Sequence, residues 1–217
     1  FMKDIDSSAT LDSQSLLRDT YGETMEIAEQ KCLPIIDKYS KEFISRSPFL
    51  CIGTSGIDGK ADVSPRGDPP GFVQVIDEKT LFIPDRPGNN RLDTLTNIIE
   101  NPNVGILFII PGFDDTLRVN GAAQVTTDIE ILKSCVVNGK TPTAGILVSV
   151  NEAFLHCAKA FKRSKLWDDS SKQERKEMPS LAKMILEQTA DSDNPPTEEE
   201  VKEADDFVED NYKTGMY

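Results

Sequence analysis

The spacing of hydrophobic positions changes twice along this chain. Across residues 13–45, Leu16, Leu17, Tyr21, Met25, Ile27, Leu33, Ile36 and Phe43 recur at roughly helical intervals, which predicts a helical segment. Pro34 is expected to start a second helix rather than interrupt one, since its missing N–H costs nothing in a first turn. Residues 1–12 are polar and are expected to fray. At Ser47-Pro48 the pattern shortens to strand length. Apolar or alternating runs at 49–54, 60–64, 72–76, 80–83, 104–110, 116–126 and 144–154 read as strands. Gly56-Ile-Asp-Gly59 and Asp77-Glu-Lys79 are the turns of two hairpins. The run 104–110 is continuously apolar, as suits a strand buried on both faces. Leu92, Leu95, Ile98 and Ile99 mark a short helix closed by Asn101-Pro102, and 128–137 reads as another helix with Asp128 as its N-cap. At least six strands in hairpin order, with a helix inserted after the fourth, predict a small antiparallel barrel.

Beyond Trp167 the composition shifts. The last 50 residues carry 15 acids and 6 bases, and the window 191–210 has 10 acids against the single base Lys202. Val201, Ala204, Phe207 and Val208 keep helical spacing there, so a solvated helix with one docked apolar edge is expected, joined by the linker 191–197. The chain divides into a helical segment at 1–46 packing on the barrel, the barrel at 47–167, and an acidic helical tail at 168–217.

Charge narrows the partners. The net charge of -13 disfavours nucleic acid, whose phosphates need a basic surface, and an anionic membrane face for the same reason. No stretch is long and apolar enough to span a bilayer, and no signal peptide opens the chain. Cys32, Cys51, Cys135 and Cys157 form no CxxC pair and read as reduced, packed thiols of a cytoplasmic protein. With one histidine, His156, there is little material for a metal site, and none is expected.

No phosphate-loop, dinucleotide or nucleophile-elbow motif is present, and His156 beside Cys157 reads more readily as structural than as a general base. Two stretches are chemically richer. Ser64-Pro-Arg-Gly-Asp-Pro-Pro-Gly71 is a strand exit too rich in Pro and Gly for routine pairing. Ile83-Pro-Asp-Arg-Pro-Gly-Asn-Asn-Arg-Leu-Asp93 ends a strand, turns, and opens a helix at Asn90-Arg91, aiming backbone N–H groups at one point. Arg66, Arg86 and Arg91 carry the guanidinium forks that grip a phosphate. The alternative is surface pairing of Arg86 with Asp93 and Arg91 with Asp85. A basic cluster, His156-Cys-Ala-Lys-Ala-Phe-Lys-Arg-Ser-Lys-Leu-Trp167, holds the only tryptophan, either over an aromatic ligand or as a cap on the core.

These residues resemble the FMN-binding split-barrel family related to pyridoxamine 5′-phosphate oxidase. The resemblance rests on Ser47-Pro-Phe-Leu50, Asp62-Val-Ser-Pro-Arg-Gly-Asp68, the 83–89 stretch, Asp93-Thr-Leu95, Asn101-Pro102, Thr116-Leu-Arg-Val-Asn-Gly121, and His156-Cys-Ala-Lys159 with Arg163-Ser164 and Leu166-Trp167. It covers roughly residues 12–168. It implies a mainly β fold with flanking helices, a six-stranded antiparallel split β-barrel, and a homodimer holding FMN in two interface clefts. It assigns phosphate contacts to Ser64 and Arg66 and to Asp85, Arg86, Asn90, Arg91 and Thr94 at the helix start. Flavin-ring contacts fall to Thr116 and Arg118, and to Lys159, Arg163 and Trp167 in the C-terminal Arg/Trp segment of the partner subunit.

The family's lysine after the strand arginine is replaced here by Gly67-Asp-Pro-Pro, Arg91 comes about one turn early, and the Arg-x-His pair for pyridoxal phosphate is missing. Vitamin B6 oxidation is therefore not implied, while FMN binding is. Two function classes stay open. One is an FMN-dependent oxidoreductase acting on a small molecule or an electron donor such as NAD(P)H, with no catalytic side chain identified. The other is a non-catalytic module that stores, senses or delivers FMN. An interaction protein with a degenerate pocket is a third possibility.

Overall fold

The computed structural model describes residue 6, residues 9–191 and residues 193–217; of the polar opening expected to fray, residues 1–5, 7 and 8 lie outside the described residues, as does Ser192 of the linker. Helices α1 (Gln14–Tyr21), α2 (Glu26–Gln30) and α3 (Lys38–Arg46) precede the strands. Pro34 does not start a helix. It sits in an irregular turn, and α3 begins at Lys38 because the Asp37 side chain accepts from the Ser40 N–H at 2.8 Å. Desolvation alone would raise the Asp37 carboxyl's pKa, but the bonds from Ser40 outweigh it and hold the group below its ordinary value. Only α3 buries side chains in the core, through Ser40, Phe43 and Ile44; α1 and α2 bury none.

The strands are β1 (Phe49–Ser55), β2 (Ala61–Gly67), β3 (Gln74–Asp77), β4 (Thr80–Pro84), β5 (Asn103–Ile109), β6 (Thr116–Thr126) and β7 (Gly145–His156). They form one antiparallel sheet in the order β2-β1-β5-β6-β7-β4-β3. The sheet coils into a split β-barrel of seven strands rather than the expected six, because both members of the β3–β4 hairpin join it, β4 on β7 and β3 on β4. Helix α4 (Asp93–Glu100) crosses between β4 and β5, and α5 (Ile129–Lys133), capped by Asp128, between β6 and β7.

The period-2 alternation of the strands decides what fills the barrel. Leu50, Ile52, Ile106, Phe108, Leu117, Val119, Leu81, Ile83, Ile146 and Val148 are buried in one core with Phe43 and Ile44 of α3. Along β5 only alternate residues are buried. Gly105, Leu107 and Ile109 face outward with Phe49, Cys51 and Gly53 of β1, so the strand expected to be buried on both faces has one face open. The continuous apolar run misled because that outer face is apolar without being covered by this chain.

Helix α6 (Lys159–Ser164) follows β7, and the tail forms two 3-10 turns, α7 (Leu181–Thr189) and α8 (Glu198–Thr214). Thr197 and Glu200 close a reciprocal capping box at the start of α8. The helices α7 and α8 pack chiefly on each other. Val201, Ala204 and Val208 are half-buried, whereas Phe207 is exposed and leaves the apolar edge expected of it. Cys135 is buried, Cys32 and Cys51 are half-buried, and Cys157 is exposed rather than packed. Burial pushes the Cys135 thiol's pKa up.

Candidate functional site

The sheet order leaves β2 at one edge and β4 one strand from the other, and the ends of these two strands face each other across the split. Two crossed ion pairs span it. Arg66 near the end of β2 donates to Asp85, just past β4, at 2.8 Å. Arg86 donates in the opposite sense through Nε to Asp68, just past β2, at 2.6 Å, and through a second N–H to the Cys135 carbonyl at 3.0 Å. Neither pair is one that near-neighbour reasoning proposed: Arg86 does not meet Asp93, nor Arg91 Asp85. Arg91 instead pairs with Asp93 at 2.7 Å, exposed on the rim, and that carboxylate raises the Arg91 pKa above its ordinary value.

Beside these pairs lies a cleft of about 1660 Å³, lined by β2, the β4–α4 loop, the start of α4, the loop before β7, and Tyr217. It is larger than the roughly 300–1,000 Å³ of ordinary small-molecule sites. The register of β2 against β1 explains its polar wall. Asp62, Ser64 and Arg66 pair with Thr54, Ile52 and Leu50, whose side chains face the barrel interior. The same alternation that fills β1 with aliphatic groups therefore presents three polar groups along an edge strand.

The β4–α4 loop supplies the opposite wall. Asn90 and Leu92 both hold left-handed backbone, with φ of 56° and 60°. This is costly for leucine, and such strain is kept where the surrounding fold demands a specific loop shape. Leu92 is also the N-cap of α4 and offers no side-chain cap to the first N–H groups of that helix. An uncapped helix start carrying the positive end of the dipole suits an anion.

One atom stands out on electrostatic grounds. Arg66 Nε is buried and has no hydrogen-bond partner, although its neighbouring NH1 is satisfied by Asp85. A buried unsatisfied donor on a charged group costs about 1–3 kcal/mol or more unless something accepts from it. The cleft is not simply cationic. Asp62, Asp85 and Asp93 line it with Arg66, Arg86, Arg91 and Lys140, and Thr94 donates to Asp62 at 3.3 Å.

The structure thus brings Ser64, Arg66, Asp85, Arg86, Asn90, Arg91 and Thr94 to one cleft. It does not bring Thr116, Arg118, Lys159, Arg163 or Trp167 there within the same chain. Thr116 is buried opposite His156, and Arg118 lies over the Phe154 ring at 5.0 Å. Trp167 donates its indole N–H to the Phe113 carbonyl at 2.7 Å and packs on Phe161. Desolvation first, then Arg118 and Lys31, push His156 below the ordinary histidine pKa. Sequence reasoning missed Lys140, the Thr141–Ala144 loop and Tyr217 as lining residues. The Pro in Lys140-Thr-Pro-Thr143 was a usable signal for the loop, and nothing marked Tyr217.

Among the described residues, no cluster of His, Cys, Asp or Glu is arranged to hold a metal, and no helix is long and apolar enough to cross a membrane.

Residues 36–157 match the protein family described as pyridoxamine 5′-phosphate oxidase. No curated protein matches the chain. Solved structures similar to it include HupZ of Group A Streptococcus, at 18% identity over 55% of this chain and 93% of that one, with a TM-score of 0.46. General Stress Protein 26 of Bacillus anthracis is similar at 16% identity over 60% of this chain and 94% of that one, with a TM-score of 0.42. A protein related to general stress protein 26 from Clostridium acetobutylicum is similar at 13% identity over 54% and 85%, with a TM-score of 0.40.

Proposed function

The chain belongs to the pyridoxamine 5′-phosphate oxidase family, and on that premise we propose that its cleft binds FMN and that the protein is an FMN-dependent oxidoreductase. The observation that carries this reading is the buried, unpartnered Nε of Arg66, beside a helix start with no side-chain cap. A dianionic phosphate answers both features at once, accepting from the orphaned guanidinium edge and from the first amides of α4. The cleft residues fit the group: Ser64, Arg66 and Thr94 would hold the phosphate, with Asn90 and Arg91 at the rim. Asp85 and Asp68 serve as partners that fix the planes of Arg66 and Arg86 rather than as ligands.

Bound flavin supplies hydride and single-electron chemistry, so the protein's task is to bind, orient and tune it. The three carboxylates of the cleft lining, Asp62, Asp85 and Asp93, are each engaged by threonine or arginine. NAD(P)H or a reduced small molecule is the class of donor such a site would use. The same cleft serves a non-catalytic flavin carrier, and turnover separates the two. FMN added to the purified chain is expected to bind with quenching of its fluorescence, and NADH or NADPH to bleach its visible absorption with reoxidation by an acceptor. Protein that takes up no FMN removes both readings.

Dimerisation is part of the proposal. The outer faces of β1 and β5 present Phe49, Cys51, Leu107 and Ile109 around the flat positions Gly53 and Gly105, with Arg118 and Phe154 alongside. Pairing two chains through this face would cover it and is the arrangement by which Arg118, Lys159, Arg163 and Trp167 could serve the other chain's cleft. Light scattering is expected to return twice the 24.0 kDa chain mass. A value at the single-chain mass would exclude the dimer.

A further inference from the structure

Among the lining residues that the phosphate reading does not use is Tyr217. Tyr217 touches three separate walls. Its hydroxyl donates to Asp68 at 2.6 Å, its ring lies 5.5 Å from the Arg86 guanidinium, and its backbone oxygen accepts from Lys140. These partners come from the β2–β3 loop, the β4–α4 loop and the loop before β7. Asp68 is only 1% exposed and accepts from both Arg86 and Tyr217, so the tail is tied to the same carboxylate that braces the split. Otherwise the tail is loosely attached, since α7 and α8 pack chiefly on each other. The open volume of about 1660 Å³ remains with Tyr217 in position, so the residue bounds the cleft without filling it.

We propose that residues 215–217 are a latch across the cleft, held by the Tyr217–Asp68, Tyr217–Arg86 and Lys140 contacts, through whose release a ligand enters and leaves. The proposal rests on the cleft being the flavin site. A closed latch that leaves room for the ligand slows entry and exit by the same factor and leaves affinity nearly unchanged. A plug would weaken affinity, and a ligand contact would strengthen it. The hydroxyl bond to a carboxylate together with the cation–π contact holds the latch closed by a factor on the order of 10–100.

The test uses the full chain as wild type, Tyr217→Ala and Tyr217→Phe. Three rates are measured: FMN association and FMN dissociation, both by stopped-flow fluorescence, and tryptic cleavage after Lys213 in the absence of flavin. In Tyr217→Ala both FMN rate constants are expected to rise about ten-fold or more while Kd moves less than about three-fold. Cleavage after Lys213 is expected to accelerate by a similar factor. Tyr217→Phe, which keeps the ring and loses the hydroxyl, falls between. Unchanged rates, or a Kd change carried by one rate constant alone, overturn the latch. If the wild type binds no FMN, the cofactor reading falls, and cleavage then decides: acceleration retains a latched tail, and equal cleavage in all three proteins overturns it.

Discussion

Replacing Arg66 with alanine is expected to weaken FMN binding by on the order of 10–100-fold while leaving riboflavin binding within about two-fold. Riboflavin shares the ring and ribityl chain and lacks only the phosphate, so the ratio isolates phosphate recognition. The size follows from a charge-assisted bond worth about 1.5–3 kcal/mol. Arg66 is the residue to change because its Nε is buried and unpartnered, whereas Arg91 is exposed and already engaged by Asp93. Arg91→Ala should therefore cost less. The substitution also strands Asp85, whose side chain is 21% exposed and whose ion-pair partner is Arg66, so some stability is lost as well. Arg66→Lys controls for this: it keeps a cation for Asp85 but lacks the fork, and should restore stability more fully than FMN affinity. Fluorescence titration with both flavins, alongside thermal melts of each variant, measures the two effects separately. Equal losses for FMN and riboflavin would mean that Arg66 shapes the cleft without reading a phosphate.

Much of this site was legible because it follows from local rules. The Pro/Gly-rich exit after β4 cannot continue a ladder, whereas residues 64–67, expected to leave the strand, stay paired to β1 and so carry Arg66 on the same face as Asp62 and Ser64. What the sequence hid is what depends on sheet order. Reasoning from near neighbours paired Arg86 with Asp93 and Arg91 with Asp85. The actual partners of Arg66 and Arg86 lie 19 and 18 residues away, because β2 and β4 meet only after the sheet has coiled around the core. Tyr217 was invisible for the same reason in stronger form, since its hydroxyl bond closes a loop of 149 residues. The outer face of β5 shows the converse failure. Its apolar run was read correctly as a burial signal, but burial by this chain was inferred where half of the run stays open.

The largest stability effect is expected at a position far from the cleft. Gly121 lies where the β6–β7 register shifts, and a Cβ built there would stand 2.1 Å from the Ser149 carbonyl oxygen and 3.0 Å from its carbon. The obstacle is backbone, so no rotamer change relieves it. Alanine must push β6 and β7 apart in the middle of the most extensively paired strands of the barrel. Val148, fully buried in the core, is also within 3.3 Å and would be displaced with it. Gly121→Ala is accordingly expected to cost about 3 kcal/mol or more, the upper range for overpacking, which lowers Tm by roughly 6–12 °C in a chain of this length. Gly88→Ala is the matched control. Its Cβ would meet nothing within 4 Å, and no positive φ constrains it, so stability should be unchanged or slightly raised through the unfolded chain. Thermal melts of the two variants beside the wild type decide the matter. The close approach of β6 to β7 also fixes where Arg118 and Phe154 stand on the outer face, two residues toward the strand end from this bulge. A variant that folds with the strands spread should therefore lose dimer affinity along with stability, and one that melts like the wild type would show that the bulge tolerates a side chain after all.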